Sequence, residues 1–135
     1  MTTAGLLDTS VVIALARGLD QTLLPDESFI STITLAELSV GPLVANTLEG
    51  RMARQLVLQQ AEADFTALPF SAEAARRFGQ IAATLRASGR TVRARAFDTL
   101  IAAIAGANDL PVYTANTTDF DIIPDLVVIT VPSPA

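Results

Sequence analysis

The chain has 135 residues, half of them hydrophobic, with nine basic against fourteen acidic side chains and a net charge of −5. It contains no Cys and no His, and every basic residue is Arg, so there is no Lys either. Those absences exclude disulfides, thiolate nucleophiles, histidine general-base chemistry, most zinc and copper sites, Schiff bases and a lysine-containing phosphate loop.

What remains for catalysis is carboxylates, hydroxyls, amides, Arg or a hard metal ion. The length fits a single domain, residues 1–135, with the last few residues expected to fray. Mean hydropathy is +0.45, high for a soluble chain, yet no apolar run is longer than VVIALA, which is far too short to span a bilayer. No basic leader region precedes it. The expectation is a cytoplasmic protein, not bound to a membrane, whose excess apolar surface is covered by a partner or a second copy.

In chain order, residues 4–8 read as a short buried strand and Ser10 to Arg17 as a helix. ESFIS (27–31) suits a second strand, followed by a helix from Thr34 to about Val40, where Gly41-Pro42 supplies a stop or a kink. Thr47 to Asp64 makes a further helix, and TALPF (66–70) a short strand or extended connection. Ser71 is a good N-cap for a helix whose apolar residues Ala74, Phe78, Ile81, Ala82 and Leu85 follow helical spacing to Gly89. FDTLIAAIAGAN (97–108) is apolar nearly all round, as in a buried helix. VYTA and DLVVIT (125–130) give two more strands, and VPSPA a frayed tail. Strands alternating with helices predict an α/β fold, a largely parallel central sheet flanked by helices.

In such sheets sites lie beyond the carboxyl ends of the strands, which points to Asp8 and Asn116. Three acids interrupt apolar sequence: Asp8 in LLDTSVV, Glu37 in TLAELSV and Asp98 in AFDTLIAA. Each has a bland explanation. Asp8 and Asp98 suit helix caps or first turns, and Thr34 to Glu37 matches a capping box. Brought together, two carboxylates about 4 Å apart repel by about 4 kcal/mol at an effective dielectric near 20. Without Lys or His, only Arg, proton uptake or a cation offsets that, and oxygen donors suit Mg²⁺ or Mn²⁺. Asn116 and Asp119 in YTANTTDFD offer a fourth contribution, or a plain turn. Thr9, Ser10 and Thr114 can orient the acids or simply satisfy turns and caps.

The segments LLDTSVVIAL, STITLAELSVG, RARAFDTLIAAIA and VYTANTTDFDIIPDLVV, in this order and spacing, resemble a PIN-domain ribonuclease, in particular the VapC-type toxins of bacterial type II toxin–antitoxin pairs. The resemblance covers nearly the whole chain. It implies a PIN-like fold, a homodimer, and Mg²⁺- or Mn²⁺-dependent endoribonuclease activity inhibited by a VapB-type antitoxin, with higher-order toxin–antitoxin assembly. Asp8, Glu37 and Asp98 match the family's three core acids. The usual fourth acid falls near Asn116, with Asp119 close by, which leaves the fourth ligand and the number of metals open. On this reading Asp8 and Asp98 bind metal directly, and Glu37 completes the shell or holds the attacking water. Asn116 or Asp119 supports them.

The acidic pI, near 4.5, conflicts with RNA binding, but six of the nine Arg lie between residues 76 and 95. Arg86, Arg90, Arg93 and Arg95 form a run without acids leading to Asp98, either a basic rim for phosphates or a solvated helix end. The helical stretch from Pro42 to Phe65 is either a partner groove or ordinary packing. Competing functions are a phosphatase with Asp8 as nucleophile, disfavoured by the missing Lys, a PIN-like interaction module without activity, and a housekeeping RNA-processing nuclease.

Overall fold

The structure, a computed structural model, describes Thr2 to Ser133, Ala94 by its backbone alone. Of the tail expected to fray, Pro134 and Ala135 lie outside the described residues. Val131 does not fray: it is buried, and its N–H donates to the Thr114 carbonyl at 2.9 Å.

The elements run β1 (Ala4–Leu7), α1 (Thr9–Ala16), β2 (Glu27–Ser31), α2 (Thr32–Val44), α3 (Leu48–Asp64), β3 (Thr66–Leu68), α4 (Ala72–Ala87), α5 (Ala96–Ala107), β4 (Val112–Thr114) and β5 (Val128–Thr130). The strands lie in the order β3-β2-β1-β4-β5, and every neighbouring pair is parallel. Because strand side chains alternate between faces, Leu6 and Leu7 serve opposite cores. Leu6 and Val112 join Ile81, Leu85, Ile101 and Ile104 beneath α4 and α5. Leu7, Ile30 and Tyr113 join Val11, Leu38 and Ala61 beneath α1, α2 and α3. A sheet covered on both faces explains why β1 and β4 are buried almost throughout. Gly5 is required by this packing, since a methyl there would collide with the Tyr113 ring on the adjacent strand.

Four helices begin at a side-chain cap: Asp8 to the Val11 N–H, Ser31 to Thr34, Thr47 to Gly50 and Ser71 to Ala74. Each is worth about 1 kcal/mol. Helix α4 ends as expected, with Gly89 at φ 79 in the left-handed region.

Helix α2 departs from the expectation at both ends. Its cap is Ser31, so Thr34 and Glu37 do not form a capping box. Gly41-Pro42 does not stop it either, although Pro42 removes one helical hydrogen bond. Pro42 is buried, and Arg54 of α3 donates to the Gly41 carbonyl at 2.9 Å, so packing between the two helices carries α2 to Val44. Strand β5 is shorter than expected. Asp125, at φ 58, belongs to a turn, and pairing along the strand starts at Val128.

From β1 the chain passes to β2 on one side, and it returns later to β4 on the other. The carboxyl ends of β1 and β4 therefore flank the point where strand order reverses, the place where open parallel sheets form ligand sites.

Candidate active site

Asp8 follows directly on β1 and caps α1, so the apolar run that builds the strand delivers a carboxylate to the sheet's end. It is buried, only 4% exposed. Its Oδ1 accepts from Ser10 Oγ at 2.6 Å and from the Val11 N–H at 3.1 Å, and its Oδ2 accepts from Thr114 Oγ1 at 2.5 Å. Burial raises its pKa above the ordinary value, and the bonds from Ser10, Thr114 and Val11 hold the rise back. A carboxylate has about four lone-pair positions, and those three bonds leave one of them, on Oδ2, for a further partner.

The two hydroxyls on Asp8 are themselves fixed by the backbone just past β4. Ser10 Oγ accepts from the Ala115 N–H at 3.0 Å, and Thr114 Oγ1 from the Asn116 N–H at 2.9 Å. Ser10 and Thr114 thus tie the carboxyl ends of β1 and β4 together around Asp8.

Glu37 lies one turn into α2 and accepts from Thr9 Oγ1 at 2.7 Å. Thr9 Oγ1 lies 3.0 Å from Thr34 Oγ1, which receives the Ser31 hydroxyl at 3.5 Å. Sequence reasoning places Thr34 in a capping box and gives Ser31 no role. The available signal is the three-residue spacing of Thr34 and Glu37, which puts both on one helix face.

Asp98 stands in the first turn of α5 and is partly exposed. Its pKa is pushed up to about 6, first by burial and then by the charges of Asp119, Asp8 and Glu37, with Arg95 opposing. All four acids singled out in the sequence therefore share one electrostatic neighbourhood. Asp119 is the strongest charged neighbour of Asp98, while Asn116 is exposed and its side chain caps nothing. The fully buried Phe120 anchors the 3₁₀ turn Thr117–Asp119 in the α4–α5 core and so sets the position of Asp119.

Of the four Arg in the basic run, one is tied to this site. Arg95 Nη1 donates to the Thr118 carbonyl at 2.8 Å, which holds the Asp119 turn beside α5. Arg86, Arg90 and Arg93 are exposed, and Arg86 occupies the last turn of α4, where the helix dipole favours it. Among the described residues the ion pairs are Arg76 and Arg77 with Glu73.

The donor set is oxygen throughout, its acids repel one another, and Asp8 keeps a free lone pair, all of which suits a hard divalent cation. Among the described residues, however, no three acids lie close enough to hold one ion together. The arrangement fits a divalent ion held by one or two carboxylates that keeps several waters.

A second exposed feature is apolar. Leu48, Met52 and Leu56, four residues apart on α3, are 72%, 64% and 54% exposed, and Val40, Leu43 and Val44 of α2 are exposed as well. For Leu43, Val44, Leu48, Met52 and Leu56 the ordinary-packing reading of the 42–65 region fails.

A parallel α/β sheet with acids gathered at the β1/β4 reversal defines a class. Residues 5–126 match the family model of the PIN domain, and the chain belongs to the PIN-domain family. Its relatives there are VapC proteins. It is 44% identical over 113 residues to ribonuclease VapC5 of Mycobacterium tuberculosis, covering 82% of each chain. It is 35% identical over 130 residues to ribonuclease VapC of Rickettsia bellii, covering 94% of this chain and 96% of the relative. In fold it is similar to a chain of VapBC-5 from Mycobacterium tuberculosis, a member of the VapBC family of toxin–antitoxin systems, with TM-score 0.79, 39% identity and coverage of 96% and 98%. A chain of DNA-bound VapBC from Salmonella typhimurium gives TM-score 0.80 at 27% identity, again covering 96% and 98%.

Proposed function

We propose that the chain is the toxin of a VapBC-type pair, a Mg²⁺- or Mn²⁺-dependent endoribonuclease that acts in the cytoplasm and is restrained by a VapB-type antitoxin. The observation that carries the reading is the neighbourhood of Asp98, whose carboxyl is pushed up to about 6 by burial and by Asp119, Asp8 and Glu37 at the sheet's strand-order reversal. The relatives named VapC ribonuclease and the VapBC complexes support it.

On this reading Asp8 and Asp98 hold the cation, and Glu37 orients the attacking water or adds a ligand. Asp119, rather than Asn116, supplies the fourth acid. Ser10 and Thr114 keep Asp8 in place, its bonded lone pairs turned inward and one left for the metal. A bound divalent ion supplies an activated water at neutral pH and offsets charge on the scissile phosphate. Arg95, fixed by Thr118, opposes the site's negative charge where an RNA phosphate approaches, with Arg86, Arg90 and Arg93 as outlying contacts. The exposed apolar face of α2 and α3 is the surface a second copy or the antitoxin covers. Among the described residues no helix is long and apolar enough to cross a membrane.

The test compares wild type with Asp8→Asn for RNA cleavage, with and without EDTA. Cleavage by wild type alone, abolished by EDTA, is expected. Equal, EDTA-insensitive cleavage by both proteins would sink the proposal. Growth arrest on expression, relieved by a co-expressed antitoxin, separates a toxin from a housekeeping nuclease.

A further inference from the structure

The acids are not the only groups whose bonding is constrained at this site. Thr9 has a single O–H, and it goes to Glu37 Oε1 at 2.7 Å. A carboxylate oxygen offers no proton in return. The 3.0 Å contact between Thr9 and Thr34 must therefore run the other way, with Thr34 as donor and Thr9 as acceptor. Thr34 receives the Ser31 hydroxyl, and its own backbone N–H donates to Ser31 Oγ at 3.1 Å. The bonds form one directed chain, Ser31 to Thr34 to Thr9 to Glu37, rooted at the α2 cap.

Ser31 and Thr34 are both fully buried, with no exposed surface. A helical Thr at such a position usually has its hydroxyl satisfied by its own helix, whereas Thr34 reaches across to α1. The link joins the start of α1, which carries Asp8, to the helix that carries Glu37.

We infer that Thr34 is a positioning residue for the acid site: by forcing the Thr9 hydroxyl toward Glu37, it sets where the Glu37 carboxylate stands relative to Asp8 and Asp98. A glutamate has three rotatable side-chain bonds, and without a directed donor Thr9 is free to rotate and bond elsewhere. The inference rests on the metal-dependent reading above, and its test separates the two.

The experiment measures Mn²⁺ affinity by electron paramagnetic resonance, with no RNA present, for wild type, Thr34→Val and Thr34→Ser. Val keeps the volume and loses the hydroxyl, whereas Ser keeps the hydroxyl and loses a methyl. Thr34→Val is expected to bind Mn²⁺ about 10-fold more weakly, the loss typical when a group supporting a ligand is removed. Thr34→Ser is expected to stay near wild type, although its lost methyl costs more fold stability in urea. In a Thr9→Val background Thr34→Val should cause no further loss, because the chain is already cut. In RNA cleavage at saturating substrate, kcat should fall for Thr34→Val with KM unchanged.

If Thr34→Val does not fold, Thr34→Ala removes the same hydroxyl and carries the same expectation. Wild-type affinity in the folded hydroxyl-free variant, or equal losses in that variant and Thr34→Ser, would overturn the inference and leave the nuclease reading standing. Failure of the wild-type protein to bind Mn²⁺ would overturn both.

Discussion

Asp98 is the acid whose removal should make the fold more stable. Its carboxyl is shifted from 3.8 to about 6, so the folded protein binds this proton more tightly than the unfolded chain does. Between those two values the folded state holds more protons, and stability falls as pH rises through that window, then levels off above about 6. Two pH units correspond to about 3 kcal/mol at most, and solvent screening of a partly exposed group reduces this to about 1–2 kcal/mol. Asp98→Asn abolishes the penalty but loses about 0.3–1 kcal/mol of favourable interaction with the N-terminus of α5.

The net expectation is a gain of about 1 kcal/mol, or roughly 3–5 °C in Tm for a chain of this size, at pH 7.5 in EDTA. At pH 4 the gain should vanish or reverse, since the wild-type carboxyl is then protonated in the fold. Adding Mn²⁺ at ten times its Kd stabilises a binding-competent protein by about 1.4 kcal/mol, and Asp98→Asn should lose most of that response. Urea unfolding at both pH values, with EDTA and with Mn²⁺, reads all three quantities. An Asp98→Asn variant less stable than wild type in EDTA at pH 7.5 would refute the reasoning, because the crowding of charge would then cost the fold nothing.

Asp8 should behave differently. Asn keeps the cap through its one acceptor oxygen but turns an NH2 toward the Thr114 hydroxyl that Asp8 accepts from, so Asp8→Asn should lose about 1 kcal/mol and Asp8→Ala about 2 kcal/mol, both read by urea denaturation. Arg95→Gln removes the guanidinium bond to Thr118, and amide hydrogen exchange at Asp119 and Phe120 should speed up by roughly 10-fold, about 1.4 kcal/mol of local protection. Replacing Leu48 and Met52 together by Glu should leave the monomer's stability within about 1 kcal/mol, since both are exposed. Light scattering and co-purification with the antitoxin should then show the loss of one association, and retention of both would remove this face from the account of partners.

Much of the architecture is legible in the sequence because the periodic signals are strong. The Ser71 cap, the Gly89 stop and the all-round apolar character of α5 each produce the element expected. Helix α2 runs past its expected end because Gly-Pro is only a local signal, overridden by the burial of Pro42 and by Arg54 on the Gly41 carbonyl. The tail differs for a similar reason, since its polar ending hides the buried Val131 beside β4. At the site, the acids stand out because each breaks an apolar run. Thr34 and Ser31 do not, because a buried hydroxyl in a helix start looks identical in sequence whether it bonds its own backbone or a neighbouring helix. Only the packing of α1 against α2 decides which.

Asp8 and Asp98 illustrate two ways of placing a charge in a fold. Asp8 is nearly inaccessible, yet hydroxyls and a backbone N–H surround it, and it starts α1 while facing the strand-order reversal. Its bonding is part of the architecture, so the fold and the proposed chemistry constrain it together. Asp98 is more accessible, and burial and neighbouring charges act on it, with Arg95 as the opposing counter-charge. In a chain without Lys or His, that leaves the acid end of the sheet short of positive charge. A cation bound there would offset a cost already present in the folded protein, so metal binding and folding stability should be coupled through Asp98 far more strongly than through Asp8.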